Sequence, residues 1–146
     1  MSQSLPDSIL PLHQRLTLSD EQVEAAGRLL DGMSRRLGSP PVILSQDGDL
    51  ILSAGVPDRY MVERLARIAG RTWEGGRERI TPEFIRFKEE TFGDEGVNRL
   101  NIIIYSMHVS GALTLSIGWE LSLTLMELRE EVGRAKNELL QILANN

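Results

Sequence analysis

The sequence predicts an α+β fold: a five-stranded antiparallel sheet with three helices, ordered helix, two strands, helix, three strands, helix. Three observations carry that expectation. Several segments repeat apolar residues at steps of three and four, the mark of a helix with one buried face. Asp47-Gly48 and Ser110-Gly111 each divide two apolar, β-branched runs, as hairpin turns do. The strands come in runs, which argues for antiparallel pairing with the helices packed on one face. The 146 residues are 41% hydrophobic and 25% charged, enough apolar material for one globular core and too much for disorder.

The first helix opens at Ser19, with Gln22 three residues on, a capping-box spacing. Val23, Ala26, Leu30, Met33 and Leu37 form its apolar stripe. Glu24, Arg28, Asp31 and Arg35 form its solvated face. Gly38 stops the helix, and Pro40-Pro41 forbids its continuation. A hairpin follows: Val42 to Leu44, the turn Asp47-Gly48, then Leu50 to Leu52, ending at Ser53-Ala54-Gly55.

Asp58 is placed to cap the second helix. Its stripe is Met61, Leu65, Ile68 and Thr72, widened by Val62, Ala66 and Ala69, and it ends softly at Gly70, Gly75 and Gly76. Residues 77–83 are polar and broken by Pro82. Phe84 to Phe92 reads as a charged strand, and Gly93 to Gly96 as a hairpin loop. Leu100 to Val109 is apolar on both faces, hence a central strand. Ser110-Gly111 returns the chain into Ala112 to Ile117. The last helix starts near Ser122, with Leu125, Leu128, Val132, Ala135, Leu139 and Ile142 on one face.

Residues 1–18 read as a loosely ordered N-terminal arm and 19–146 as a single domain. Pro6 and Pro11 interrupt the arm, which lacks the pattern of a secretory signal. Leu100 to Trp119 carries no charge and is long enough to span a bilayer. Its polar residues and the Ser110-Gly111 turn favour two strands instead, so no membrane insertion and a cytoplasmic location are expected.

Composition narrows the chemistry. There are no cysteines and only two histidines, which removes disulfides, thiolate metal sites and histidine-rich centres. Sixteen basic against 21 acidic residues, a net charge of −5, argue against a nucleic-acid binder. The phosphate-binding G-x-x-x-x-G-K-[ST] pattern is absent, so the chain is not expected to bind nucleotide on its own. The pairs Glu89-Glu90, Asp94-Glu95 and Glu130-Glu131 lie in solvated contexts, and His108 reads as a strand histidine rather than a catalytic one. No catalytic residue, cofactor or metal ligand is expected.

The hairpin phrase VILSQDGDLILSAG, the helix LARIAGRTWEGG, the pair LNIIIYSMHVSGALTLSIG and the closing SLTLMELREEVGRAKNELLQIL occur together in one order. In that order they resemble the Roadblock dynein light-chain superfamily, nearest to its bacterial MglB-type regulators of small GTPases. Ser122-Leu123 matches the opening of that family's last helix. The resemblance covers residues 20–143 and implies a Roadblock, longin-like sandwich. Two features depart from it: the segment Arg77 to Gly96 is longer and more charged, and no extended acidic tail follows the last helix.

The resemblance implies a non-enzymatic dimer. Its third strands join edge to edge, its middle helices pack together, and it docks a Ras-like small GTPase. It also implies that the partner's hydrolysis is stimulated by remodelling rather than by an inserted arginine. The residues agree in part. An unpaired Phe84–Phe92 strand would be an open edge, and Ala66, Ala69 and Gly70 would permit close helix approach. A homodimer interface is therefore expected at Met61, Leu65, Ile68, Ile85, Phe87 and Phe92. From Arg59 to Arg86 the chain carries seven arginines and four glutamates, locally basic within an acidic chain. Arg64, Arg67 and Arg71 fit an electrostatic docking strip for an acidic partner. A solvated helix face with pairs such as Glu63–Arg67 fits them too. Trp119, if exposed, would anchor a partner. A light-chain-like adaptor without GTPase-directed activity and a small-molecule sensor remain as alternative functions.

Overall fold

The computed structural model describes residues 18–55, 59–73, 83–92, 98–119 and 122–144. The expectations for the arm through residue 17, the Asp58 cap, residues 77–82 and the Gly93–Gly96 loop lie outside these residues. The elements run α1 (Asp20–Arg36), β1 (Val42–Gln46), β2 (Asp49–Ala54), α2 (Arg59–Trp73), β3 (Glu83–Phe92), β4 (Asn98–Ser110), β5 (Leu113–Gly118) and α3 (Leu125–Ala144). The sheet order is β2-β1-β5-β4-β3, and every neighbouring pair is antiparallel.

Local chemistry sets the boundaries. Ser19 Oγ accepts from the Gln22 amide at 3.1 Å while Gln22 Oε1 accepts from the Ser19 amide at 2.9 Å, completing the capping box. At the other end Ser39 N–H donates to Ser34 O and Gly38 N–H to Arg35 O, with Gly38 at φ +92°. That is a Schellman closure, which satisfies the last carbonyls of α1. Asp47 and Gly48 both take positive φ, 51° and 86°, as the twist-matched two-residue hairpin turn requires. α3 begins at Leu125 rather than near Ser122. The cause is a second reciprocal cap, with the Thr124 amide donating to Glu127 Oε1 and the Glu127 amide to Thr124 Oγ1.

The helices lie on both faces of the sheet, not on one. Period-two alternation sends Val42, Leu44, Tyr105, Val109, Leu113, Leu115 and Ile117 into one core with α1 and α3. The intervening Ile43, Ile102 and Ile104 meet Val62, Leu65, Ala66 and Ile68 of α2 in a second core. The result is a three-layer sandwich with two helices on one side and one on the other. Each fully buried aliphatic side chain contributes about 1.5–3 kcal/mol.

The α2 side of the sheet also holds buried hydroxyls. Ser45 and Thr114 bond at 3.0 Å, and Ser106 and Ser116 at 2.8 Å. Trp73 Nε1 donates to Ser106 Oγ at 2.8 Å, locking the end of α2 onto β4. Val23 departs from the expected stripe and is 39% exposed. Gln22 is buried instead, its amide donating to Ile142 O at 3.2 Å and tying α1 to α3.

Candidate partner-binding surface

Two features of the fold can meet a partner: the sheet edge at β3 and the outer face of α2. β3 ends the sheet and pairs with β4 from Glu83↔Met107 to Phe92↔Asn98 without a register shift. The opposite edge, β2, is six residues long, and its pairing with β1 shifts between Leu44 and Ser45. Bulges and short strands blunt an edge, and β3 has neither protection over its ten residues. Ile85 and Phe87 stand 48% and 60% exposed on it, on the α3 side of the sheet. The side chain of Phe92 lies outside the described residues.

The other expected interface residues are placed differently. Leu65 is 2% exposed and Ile68 9%, both packed on Ile43, Ile102 and Ile104 of their own sheet. Their surfaces are used within the protomer, and of that stripe only Met61 is half-buried at the rim. The small residues of α2 likewise serve the protomer. Gly70 sits against the hairpin turn, where a Cβ would fall 2.7 Å from Gly48 N. Ala66 and Ala69 are fully buried. The close approach they allow is between α2 and β1–β2.

On the outer face of α2, Arg67 and Arg71 are exposed and Arg64 is half-buried. The structure adds Arg86, exposed on β3. Its register partner Ile104 faces α2, so Arg86 shares their side of the sheet. Guanidinium groups thus mark the α2 side from helix to edge strand, within an acidic chain.

Trp119 does not stand free as an anchor. It packs against the α1–α3 core, its indole N–H donating to Leu123 O at 2.9 Å and its amide to Ile103 O at 2.7 Å. It shapes the turn from β5 into α3. Trp73 is 8% exposed and lies 4.8 Å from the Phe84 ring. His108 Nε2 lies 2.7 Å from Gly111 O, across the β4–β5 turn. Glu131, expected to be solvated, is only 15% exposed and binds both Arg36 and Arg134, so it joins α1 to α3.

One cluster has no counterpart among the expected residues. Glu83, at the first position of β3, accepts a hydrogen bond from the buried Tyr105 hydroxyl. It also receives Arg129 of α3, whose Nε and Nη2 lie 2.9 and 2.8 Å from Oε2 and whose Nε is 3.2 Å from Oε1. Burial pushes the Glu83 carboxyl up, but the hydrogen bonds from Arg129 and Tyr105 outweigh it and hold the group below the ordinary carboxylate value. Burial and the adjacent carboxylate push the Tyr105 phenol up. The cluster clamps the edge strand to α3. Its signal in the sequence was parity: Glu83 and Tyr105 share a face only once the β3–β4 register is known. Among the described residues no group of three or more His, Cys, Asp or Glu could hold a metal ion. No helix among them is long and apolar enough to cross a membrane.

No known family model matches the chain, and no curated protein matches it in sequence. Solved structures do match in fold. Myxococcus xanthus MglB superposes with a TM-score of 0.65 at 20% identity, covering 88% of this chain and 95% of that one. The fold is of the Roadblock/MglB type. An MglB described with a tetrameric arrangement gives a TM-score of 0.64 at 18% identity, over 88% of this chain and 95% of that one. A Roadblock/LC7 domain from Streptomyces avermitilis gives 0.63 at 12% identity, over 82% and 98%.

Proposed function

We propose that the chain is a non-enzymatic homodimeric regulator that binds a Ras-like small GTPase in the cytoplasm. The observation that carries this reading is the long, unbulged β3 edge with exposed Ile85 and Phe87. It lies next to a sheet side bearing Arg67, Arg71 and Arg86. A second copy added at that edge removes the open strand and doubles the arginine-bearing face. The MglB likeness supports the choice of partner class, and a tetrameric MglB supports self-association.

In this reading an acidic surface of the GTP-bound partner docks on the α2 side. Binding that favours one arrangement of the partner's switch region shifts its population toward that arrangement. Hydrolysis then uses the partner's own groups, and the arginines here contribute recognition. The test is capture from native lysate by the tagged protein, with a non-hydrolysable GTP analogue or with GDP, read by mass spectrometry. A small GTPase retained only with the analogue supports the reading. Other proteins retained regardless of nucleotide replace it with the adaptor function.

A further inference from the structure

We infer that the α3 side of the sheet, where β3 emerges from under the helices, docks a basic amphipathic helix of a partner protein. This goes beyond the GTPase reading, which uses the other side of the sheet.

The two helices on this side do not cover β3. α1 packs on β1 and β2, and α3 on β4. Two helices about 8–10 Å apart cover roughly four strands spaced about 4.8 Å. The odd residues of β3 are therefore left open, with Ile85 48% exposed and Phe87 60%. Phe87 pairs with Ile103 of β4, which is half-buried on the same face. α3 supplies one wall. The Trp119 amide, in the turn into α3, donates to Ile103 O, so the helix begins beside that residue. Arg129 reaches across β4 to Glu83. Met126, three residues earlier, shares the Arg129 face of the helix. At 70% it is the most exposed large apolar side chain among the described residues. Three of the five such side chains, Ile85, Phe87 and Met126, thus line one trough. Apolar exposure gathered in this way marks an interaction site, where scattered exposure does not. A strand floor beside a helical wall is a shape that receives a helix through anchors one turn apart.

Charge selects the occupant. Glu89 follows Phe87 on the same face of β3, Glu130 lies one turn on from Met126, and both are exposed. Arg129, the cation beside Met126, is committed to Glu83. The trough is thus apolar with carboxylates at both rims, whereas arginines mark the α2 side. A second copy seated here would set carboxylates against carboxylates, and an anionic membrane would be repelled. A helix whose apolar stripe is flanked by lysine or arginine satisfies both the shape and the charge. Pairing at the β3 edge extends the sheet in its own plane and leaves this face open. One molecule can then hold an acidic partner on one side of the sheet and a basic helix on the other.

The test uses the full chain and a synthetic amphipathic helix of about 18 residues, leucine on one face and lysine on the other. A version with glutamate in place of lysine and vesicles of phosphatidylglycerol are run beside it. The lysine peptide is expected to bind and the glutamate peptide and vesicles not to. Backbone amide shifts in NMR spectra should concentrate at Ile85, Phe87, Ile103 and Met126. Met126→Gln and Glu130→Lys should each raise the dissociation constant about tenfold. Val23→Gln, which removes an exposed apolar side chain on α1, should leave it unchanged. A full chain that binds no lysine peptide overturns the inference. So does binding that ignores both Met126→Gln and Glu130→Lys, or a glutamate peptide that binds equally well. Vesicle binding assigns the face to a membrane instead. A fall in molar mass by light scattering on Met126→Gln assigns it to a second copy.

Discussion

Glu83 is the residue on which the edge strand turns. Its carboxylate takes hydrogen bonds from a buried phenol on β4 and a guanidinium on α3, so one side chain joins three elements. Because its folded pKa is lowered, its contribution is complete above the ordinary carboxylate value of 4.5 and is lost as pH falls through the lower folded value. Glu83→Gln should cost about 1 kcal/mol at pH 7, since Arg129 is more than half exposed and water weakens its share. The gap from the native chain should close as pH falls below 4.5, as urea melts at neutral and acidic pH will read. Sequence reading missed this cluster because parity between β3 and β4 depends on a register no single segment encodes. For Trp119 the sequence leaves packing and anchoring both open; its N–H is held by the loop carbonyl of Leu123. The exposed arginines of α2, in contrast, were legible, because their spacing alone sets them on one helical face.

At the scale of elements, two helical glycines separate propensity from packing. Glycine lowers helix stability by about 1 kcal/mol relative to alanine. In α3, an added Cβ at Gly133 meets nothing within 4 Å, so Gly133→Ala should stabilise the protein by up to about 1 kcal/mol. In α2, a Cβ at Gly70 meets the backbone of Gly48 in the hairpin turn, and backbone does not yield as a side chain tip does. Gly70→Ala should therefore destabilise by about 1–3 kcal/mol despite its better propensity. Opposite signs in thermal melts of the two variants would confirm that α2 is seated by contact with its own β1–β2 turn. The order of elements was legible because each helix and hairpin carries local signals: caps, stripes and Asp47-Gly48. The layering was not. Val42, Ile43 and Leu44 form one apolar run in sequence, yet alternate between two cores. Leu65 and Ile68 looked like interface residues for the same reason, since an apolar stripe does not say whose surface it meets.

Across the whole molecule, the chain is acidic while the α2 side of its sheet presents Arg67, Arg71 and Arg86. Docking through that side should weaken steeply as salt rises, because exposed charges are screened beyond about 8 Å at physiological ionic strength. Arg67→Glu with Arg71→Glu should abolish nucleotide-dependent capture of a GTPase while leaving the melting temperature within about 2 °C, since both side chains are exposed. That face lies next to the β3 edge, and the proposed function requires the edge to be paired. The molar mass of the purified chain by light scattering at tens of micromolar tests this most directly. A dimer gives twice the 16.3 kDa of one chain, falling to a single chain when Phe87→Asp puts a charge on the edge. A mass of 16.3 kDa for the unaltered chain would contradict it.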